Sequence, residues 1–167
     1  QVLLANGDCS NIDWTFLDEA TTRSVTVWCA TQPVSETNGA LGVAPRSHLE
    51  VEFIRAVNHR YYERHSEVAS AIPGRPIVEL QAGEAVIFDN RLLHFSTPNH
   101  TDQPRLAASC VATPIGEPVY HYWFDDQEVA HRLRVSPEFW LSYAIGTDPR
   151  IGAGVLGDDV TSGLSFA

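Results

Sequence analysis

Apolar and polar positions along this chain alternate in short bursts broken by turn formers, the period-two pattern of half-buried strands. Ser24 to Thr31, SVTVWCAT, is rich in β-branched and aromatic residues and reads as a strand. Just upstream, Asp13, Thr15 and Leu17 would share one strand face, and Trp14, Phe16 and Asp18 the other. SETNG ends in Asn38-Gly39, a turn signal, and ALGVA resumes a strand. Strand signals return at Ile77 to Leu80, Ala85 to Phe88, Leu92 to Phe95 and Leu106 to Thr113, with AGE turning the chain between the first pair. Strands that follow one another this closely form a meander, not a βαβ pattern.

The texture changes twice. Within residues 46 to 72, LEVEFIRAVNHRYYERHSEVASAI has many charges and few breakers, and predicts a helix or a long ordered excursion ended by Pro73, Gly74 and Pro76. Beyond Pro118, WFDDQEVAHRLR predicts a short helix. SPEFWLSYAIG predicts another, with Ser136 as N-cap, Pro137 at the first helical position, Glu138 in the first turn and Gly146 placed to end it. The glycine-rich tail from Pro149 reads as irregular packing or a lid. About seven strands with one helical insertion suggest a mainly β fold, a double-sheet jelly roll with flanking helices, as a single domain over residues 1 to 167.

Composition narrows the function classes. At 167 residues, 44% hydrophobic and 19% charged, the chain has the make-up of a globular domain. Its net charge of -10, from 21 acidic and 11 basic residues, repels phosphate backbones, so no nucleic-acid partner is expected. No apolar run nears the roughly 18 residues that span a bilayer, so no membrane partner is expected either. Cys9, Cys29 and Cys110 show no CxxC spacing, and the latter two sit in apolar runs where a free thiol behaves as a small buried hydrophobe. With no signal peptide in view, a reducing, cytoplasmic setting is expected. The chain starts at Gln1 and contains no methionine, and its N-terminal part is expected to be missing. Oligomeric state leaves no trace here. No GxSxG, P-loop or GxGxxG occurs, which removes support for hydrolase, phosphate-cradle and dinucleotide readings.

Candidate chemistry concentrates in Gly83 to Cys110, GEAVIFDNRLLHFSTPNHTDQPRLAASC. His94 ends the apolar run RLLHF, and Arg105 opens the next one after ten intervening residues. A metal-holding histidine followed by an arginine that grips an acidic co-substrate would have this arrangement; so would a hairpin with an incidental His and Arg. A non-haem iron centre wants two histidines and one carboxylate on one face, two of them often from alternate residues of one strand. Asp13 and His94 suit the carboxylate and the distant histidine. Position 11, two before Asp13, should then be histidine, and it is Asn11.

The run NIDWTFLDEATTRSVTVWCATQPVSETNGALGVAPRSH resembles the core of the phytanoyl-CoA dioxygenase family, iron(II)- and 2-oxoglutarate-dependent oxygenases. The family pattern is His-x-Asp-Trp, an acidic turn, a strand ending in Trp, then Asn-Gly-x-Leu and Pro-Gly-Ser-His. The second block, Gly83 to Cys110, is similar to the family's distal-histidine strand and its arginine. The resemblance implies a double-stranded β-helix (cupin-like) fold, with iron(II) and 2-oxoglutarate as cofactor and co-substrate. Asp13 and His94 would be iron ligands, with Asn11 in the third position. Arg105 would form a bidentate salt bridge to the distal carboxylate of 2-oxoglutarate, which a planar guanidinium suits. Ser109, four residues on, would reach the same carboxylate, and Trp28 would pack against the co-substrate or simply fill the core. The implied reaction decarboxylates 2-oxoglutarate to succinate with dioxygen and hydroxylates a C–H bond of a small-molecule substrate.

The chain departs from the pattern at Asn11, at Arg46 where glycine usually precedes Ser47-His48, and in lacking the family's N-terminal region. A carboxamide is a weak, neutral ligand beside imidazole. Asn11 therefore supports a rival reading, a catalytically impaired jelly-roll module that binds a small carboxylate or a partner protein. A cupin-like metal enzyme without 2-oxoglutarate would need a second histidine near Asp13, and Arg105 argues against it. Among other histidines, His48 is expected to order a turn, His59, His65 and His131 to lie at the surface, His100 near a pocket mouth, and His121 to pack among the aromatics of YHYWF.

Overall fold

A computed structural model describes residues 9–51, 53–58 and 76–160. The chain divides into two compact units. The first comprises Gln1–Asp13, Val25–Val51 and Tyr61–Ala112. It holds the strands β1 (Cys9–Asn11), β2 (Val25–Ala30), β3 (Leu41–Val43), β4 (Ile77–Val78), β5 (Ala85–Asp89), β6 (His94–Ser96) and β7 (Ala107–Ala112).

Alternation in β2 sends Thr26, Trp28 and Ala30 inward and leaves Val25, Val27 and Cys29 half-buried. β2 is the centre of an antiparallel sheet ordered β5-β2-β7. Trp28 stands opposite Val86 on one side and Ser109 on the other; Thr26 stands opposite Phe88 and Val111. The second sheet is ordered β1-β6-β3-β4, also antiparallel. There Gly42 faces Phe95 across the ladder, and a Cβ at Gly42 would lie 2.0 Å from the Phe95 ring, so only glycine admits that ring. Apolar residues from both sheets form one core: Trp28, Ala30 and Phe88 meet Leu41, Val34, Ala40 and Leu92, with Val43 and Ile77 packed against them. Antiparallel sheets sharing a core are the jelly-roll architecture expected from the strand pattern.

The second unit comprises Trp14–Ser24, Glu52–Arg60 and Thr113–Ala167. Its sheet is ordered β10-β9-β8, from β8 (Tyr120–Phe124), β9 (Ala130–Val135) and β10 (Val155–Val160). The helix expected over WFDDQEVAHRLR is therefore a β8–β9 hairpin. Its reason is local: the Asp125 carboxylate accepts from the backbone N–H of Gln127 and of Val129, which closes a tight turn and takes those donors from any helix. The expected irregular tail contains β10, paired with β9 through a bulge between Val155 and Gly157. The second expected helix is present as α1 (Pro137–Ser142), with Pro137 and Glu138 in its first turn; it ends at Tyr143, before Gly146. Leu133, Val135 and Phe139 form its core with Trp140, Tyr143 and Val155.

Residues 14 to 17 do not form the expected strand. Their polar groups instead meet other parts of this unit: Thr15 N–H donates to Arg55 O, Tyr120 N–H to Phe16 O, and the Tyr122 hydroxyl to Leu17 O. Thr15 and Leu17 are nonetheless buried together, as their shared face predicts. Arg55, 1% exposed, forms a two-pronged pair with Glu19 at 2.6 and 2.8 Å. Of the helix expected within residues 46 to 72, Ser47–Leu49 forms a single 3-10 turn; His59, His65 and most of the stretch lie outside the described residues.

Candidate active site

The first unit holds all six candidate residues. His94 opens β6 and is 8% exposed. It is delivered by a turn in which Leu92 N–H donates to Asp89 O and Arg91 N–H to the Asp89 carboxylate. The imidazole Nδ1 lies 2.9 Å from Leu92 O, a bond that makes Nδ1 the donor and leaves the lone pair on Nε2. The Phe88 ring packs 5.0 Å from it. Across the β1–β6 ladder, Asn11 is the Cα partner of His94. Asp13 follows two residues after Asn11. Its Oδ2 lies 2.5 Å from Thr26 Oγ1, which in turn lies 2.7 Å from the side-chain amide of Asn90.

Arg105 precedes β7. Its Nη2 donates to Ser96 Oγ at 3.0 Å, and its guanidinium carbon sits 5.3 Å from the centre of the Trp28 ring. Nε is buried without a hydrogen-bond partner, and no carboxylate among the described residues pairs with this cation. Burial pushes its pKa down, the expected response of a cation withdrawn from water and not offset by an anion. Gly39 makes room for it: at φ +95° its position favours glycine, and a Cβ there would lie 3.3 Å from Arg105 Nε. Ser109 is exposed, directly across from Trp28 on β7.

The structure thus joins Arg105 to Trp28 by contact and Asn11 to His94 by register. Among the described residues no group of three or more His, Cys, Asp and Glu is placed to hold a metal. The donor set expected from the sequence is one carboxylate, one imidazole and a carboxamide. The first two fit iron(II), and the histidine shows the second-nitrogen-to-carbonyl bond common to metal ligands. The third is a poorer match.

Four residues around the site escaped the sequence reading: Thr26, Asn90, Ser96 and Gly39. Thr26 carried one signal, an inward polar position on an otherwise apolar strand face. The other histidines divide. His121 is packed, as expected, against Phe139, Trp140 and Tyr143. His131 is a correction, being 6% exposed on β9 with Nε2 3.1 Å from Asp125. His100 is exposed in its loop. The cysteines are a second correction: Cys29 is only half-buried, and Cys110 is exposed on β7.

Residues 11–107 match the model of the phytanoyl-CoA dioxygenase (PhyH) family. The chain belongs to this family. Its fold is the mainly β jelly roll of the solved structures it is similar to. One is the non-heme alpha ketoglutarate dependent carbocyclase SnoK from nogalamycin biosynthesis, with 20% identity, a TM-score of 0.54, and 68% of this chain and 45% of that chain covered. Another is the non-heme alpha ketoglutarate dependent epimerase SnoN from the same biosynthesis, with 24% identity, a TM-score of 0.50, and 68% and 43% covered. The alignments therefore take in less than half the length of either. No curated protein sequence matches the chain. Among the described residues, no helix of this PhyH-family chain is long and apolar enough to cross a membrane.

Proposed function

We propose that this chain carries the iron(II)- and 2-oxoglutarate-binding site of a dioxygenase acting on a small-molecule substrate. The observation that carries the reading is the Arg105 guanidinium, buried in part, stacked on Trp28 and lacking an anion. A buried cation is costly until a carboxylate reaches it, and a diacid co-substrate supplies one. Arg105 would take the distal carboxylate, held in place by Ser96 Oγ and by the Trp28 face, with Ser109 across the strand at the mouth.

Asp13 and His94 would hold the metal, with Asn11 or a water in the third position. Iron(II), when bound, supplies dioxygen activation coupled to decarboxylation of 2-oxoglutarate. The chain's own share is placement. The Leu92 carbonyl keeps His94 in one tautomer, Asp13 brings a negative charge to the cation, and the Phe88 ring limits water around the imidazole.

The test is 2-oxoglutarate binding by thermal shift and calorimetry. Wild type is stabilised by 2-oxoglutarate, and Arg105→Met weakens that binding by roughly tenfold to a hundredfold, the worth of a charged two-point hydrogen bond. Unchanged affinity in Arg105→Met overturns the reading. Asn11 favours a second reading, a module that binds the diacid without turnover. Anaerobic addition of iron(II) and 2-oxoglutarate separates the two: a weak visible charge-transfer band supports the oxygenase, whereas diacid binding without a band supports the module.

A further inference from the structure

The hydroxyl of Thr26 touches two acceptors and owns one hydrogen. It lies 2.5 Å from Asp13 Oδ2 and 2.7 Å from Asn90 Oδ1. With Asp13 ionised, one arrangement satisfies both contacts. Thr26 donates to the carboxylate, which is the stronger acceptor, and the Asn90 amide is turned so that Nδ2 donates to Thr26 Oγ1. The result is a directed chain, Asn90 to Thr26 to Asp13. Thr26 is 3% exposed and Asn90 fully buried, so water does not compete for the bond between them, while Asp13 is half-buried.

Asn90 also begins the five-residue stretch that ends in His94, in the turn closed by Leu92 N–H to Asp89 O. The same turn presents the Leu92 carbonyl to His94 Nδ1. One short loop thus supplies the outer partner of the aspartate and carries the histidine itself.

We infer that Thr26 and Asn90 are positioning residues that fix the Asp13 carboxylate, and that the loop from Asn90 to His94 ties the placement of both candidate metal ligands to one hydrogen-bonded chain. The inference rests on the proposed metal site. It gives that site, short of one strong ligand at position 11, a reason to depend heavily on how its remaining two are held. Neither residue touches the metal in this account. They act by reducing the orientations that Asp13 must give up on binding.

The test is manganese(II) affinity of the 167-residue chain, measured anaerobically by electron paramagnetic resonance without co-substrate. Thr26→Val keeps volume and strand propensity but deletes the donor; it weakens manganese(II) binding at least roughly tenfold. Thr26→Ser restores the hydroxyl and returns affinity close to wild type, which a purely packing role would not do. Asn90→Leu weakens binding as well, and adds little in the Thr26→Val background, because the two act through one chain. Thr26→Ala serves if the valine variant does not fold. Wild-type affinity in a folded Thr26→Val or Thr26→Ala protein overturns the inference, as does a serine variant as weak as the valine one. A wild-type protein that binds no manganese(II) overturns the site reading itself, and this inference with it.

Discussion

His121 sits on β8 with its ring centre 4.7 Å from that of Tyr143, 5.1 Å from Phe139 and 5.6 Å from Trp140. It is 3% exposed, and its Nε2 has no hydrogen-bond partner. Burial among these rings withdraws the imidazole from water and pushes its pKa from 6.5 down to about 4. Above the unfolded value the ring is neutral in both states, and its full contribution to stability is present. As pH falls below 6.5 the unfolded chain takes up the proton first, and native stability drains away until the folded value near 4 is passed. At roughly 1.4 kcal/mol per unit, the loss totals about 3 kcal/mol, about two-thirds of it gone by about pH 5. The assay is urea unfolding of wild type and His121→Phe across that range. Carboxylates elsewhere titrate alike in both proteins, so the difference between the two curves isolates this group. The phenylalanine variant gains about 3 kcal/mol relative to wild type from about pH 7 to about pH 4. Two parallel curves would refute the reasoning, since they would mean that the ring is protonated or solvated in the native state.

Three further outcomes follow from single side chains. Gly39→Ala forces a left-handed backbone on alanine and crowds Arg105 Nε; it costs about 1–2 kcal/mol in unfolding measurements and weakens 2-oxoglutarate binding more than that stability loss explains. Glu19→Gln removes the two-pronged counter-charge from the buried Arg55 and lowers stability by about 3 kcal/mol, whereas replacing both residues with methionine recovers much of the loss. Asn11→His raises iron(II) affinity by roughly tenfold or more in anaerobic titration, and an unchanged affinity shows that position 11 does not serve the metal.

Much of the fold was legible because its strands announce themselves locally. SVTVWCA alternates, is rich in β-branched residues, and forms β2 within a residue of its expected ends. The β8–β9 hairpin was not, because Gln127, Glu128, Ala130 and Arg132 are good helix formers and the deciding contact is a side-chain carboxylate closing a turn. β10 carries Gly157 and two aspartates, a poor strand by composition; it exists because β9 offers it an edge. The site divides along the same line. Asp13, His94 and Arg105 stood out as candidates from spacing and resemblance, since their chemistry is rare in apolar runs. Thr26 passed as an ordinary strand residue, and Asn90 as an ordinary turn residue. Their meaning lies in what stands opposite them, which is set by register and not by composition.

An acidic chain is not a poor host for an anionic ligand, and the magnitudes show why. A carboxylate about 4 Å from a guanidinium in a partly buried setting gains about 4 kcal/mol at an effective dielectric constant of about 20. The net charge of -10 acts from much further away. At a typical distance of about 20 Å in water it opposes a unit negative charge by about 2 kcal/mol, and a screening length of about 8 Å reduces this to a few tenths. The near cation wins by an order of magnitude, so Arg105 can recruit a small diacid against the field of the whole molecule. The same arithmetic turns the other way for a nucleic acid, which would need many cations along an extended track. With 11 basic residues against 21 acidic ones, several of the cations are already committed: Arg55 to Glu19, Arg91 to Asp89, Arg132 to Asp18 and Arg150 to Asp148. Arg105 has no such ion pair among the described residues, and the proposed function gives it a small acid instead.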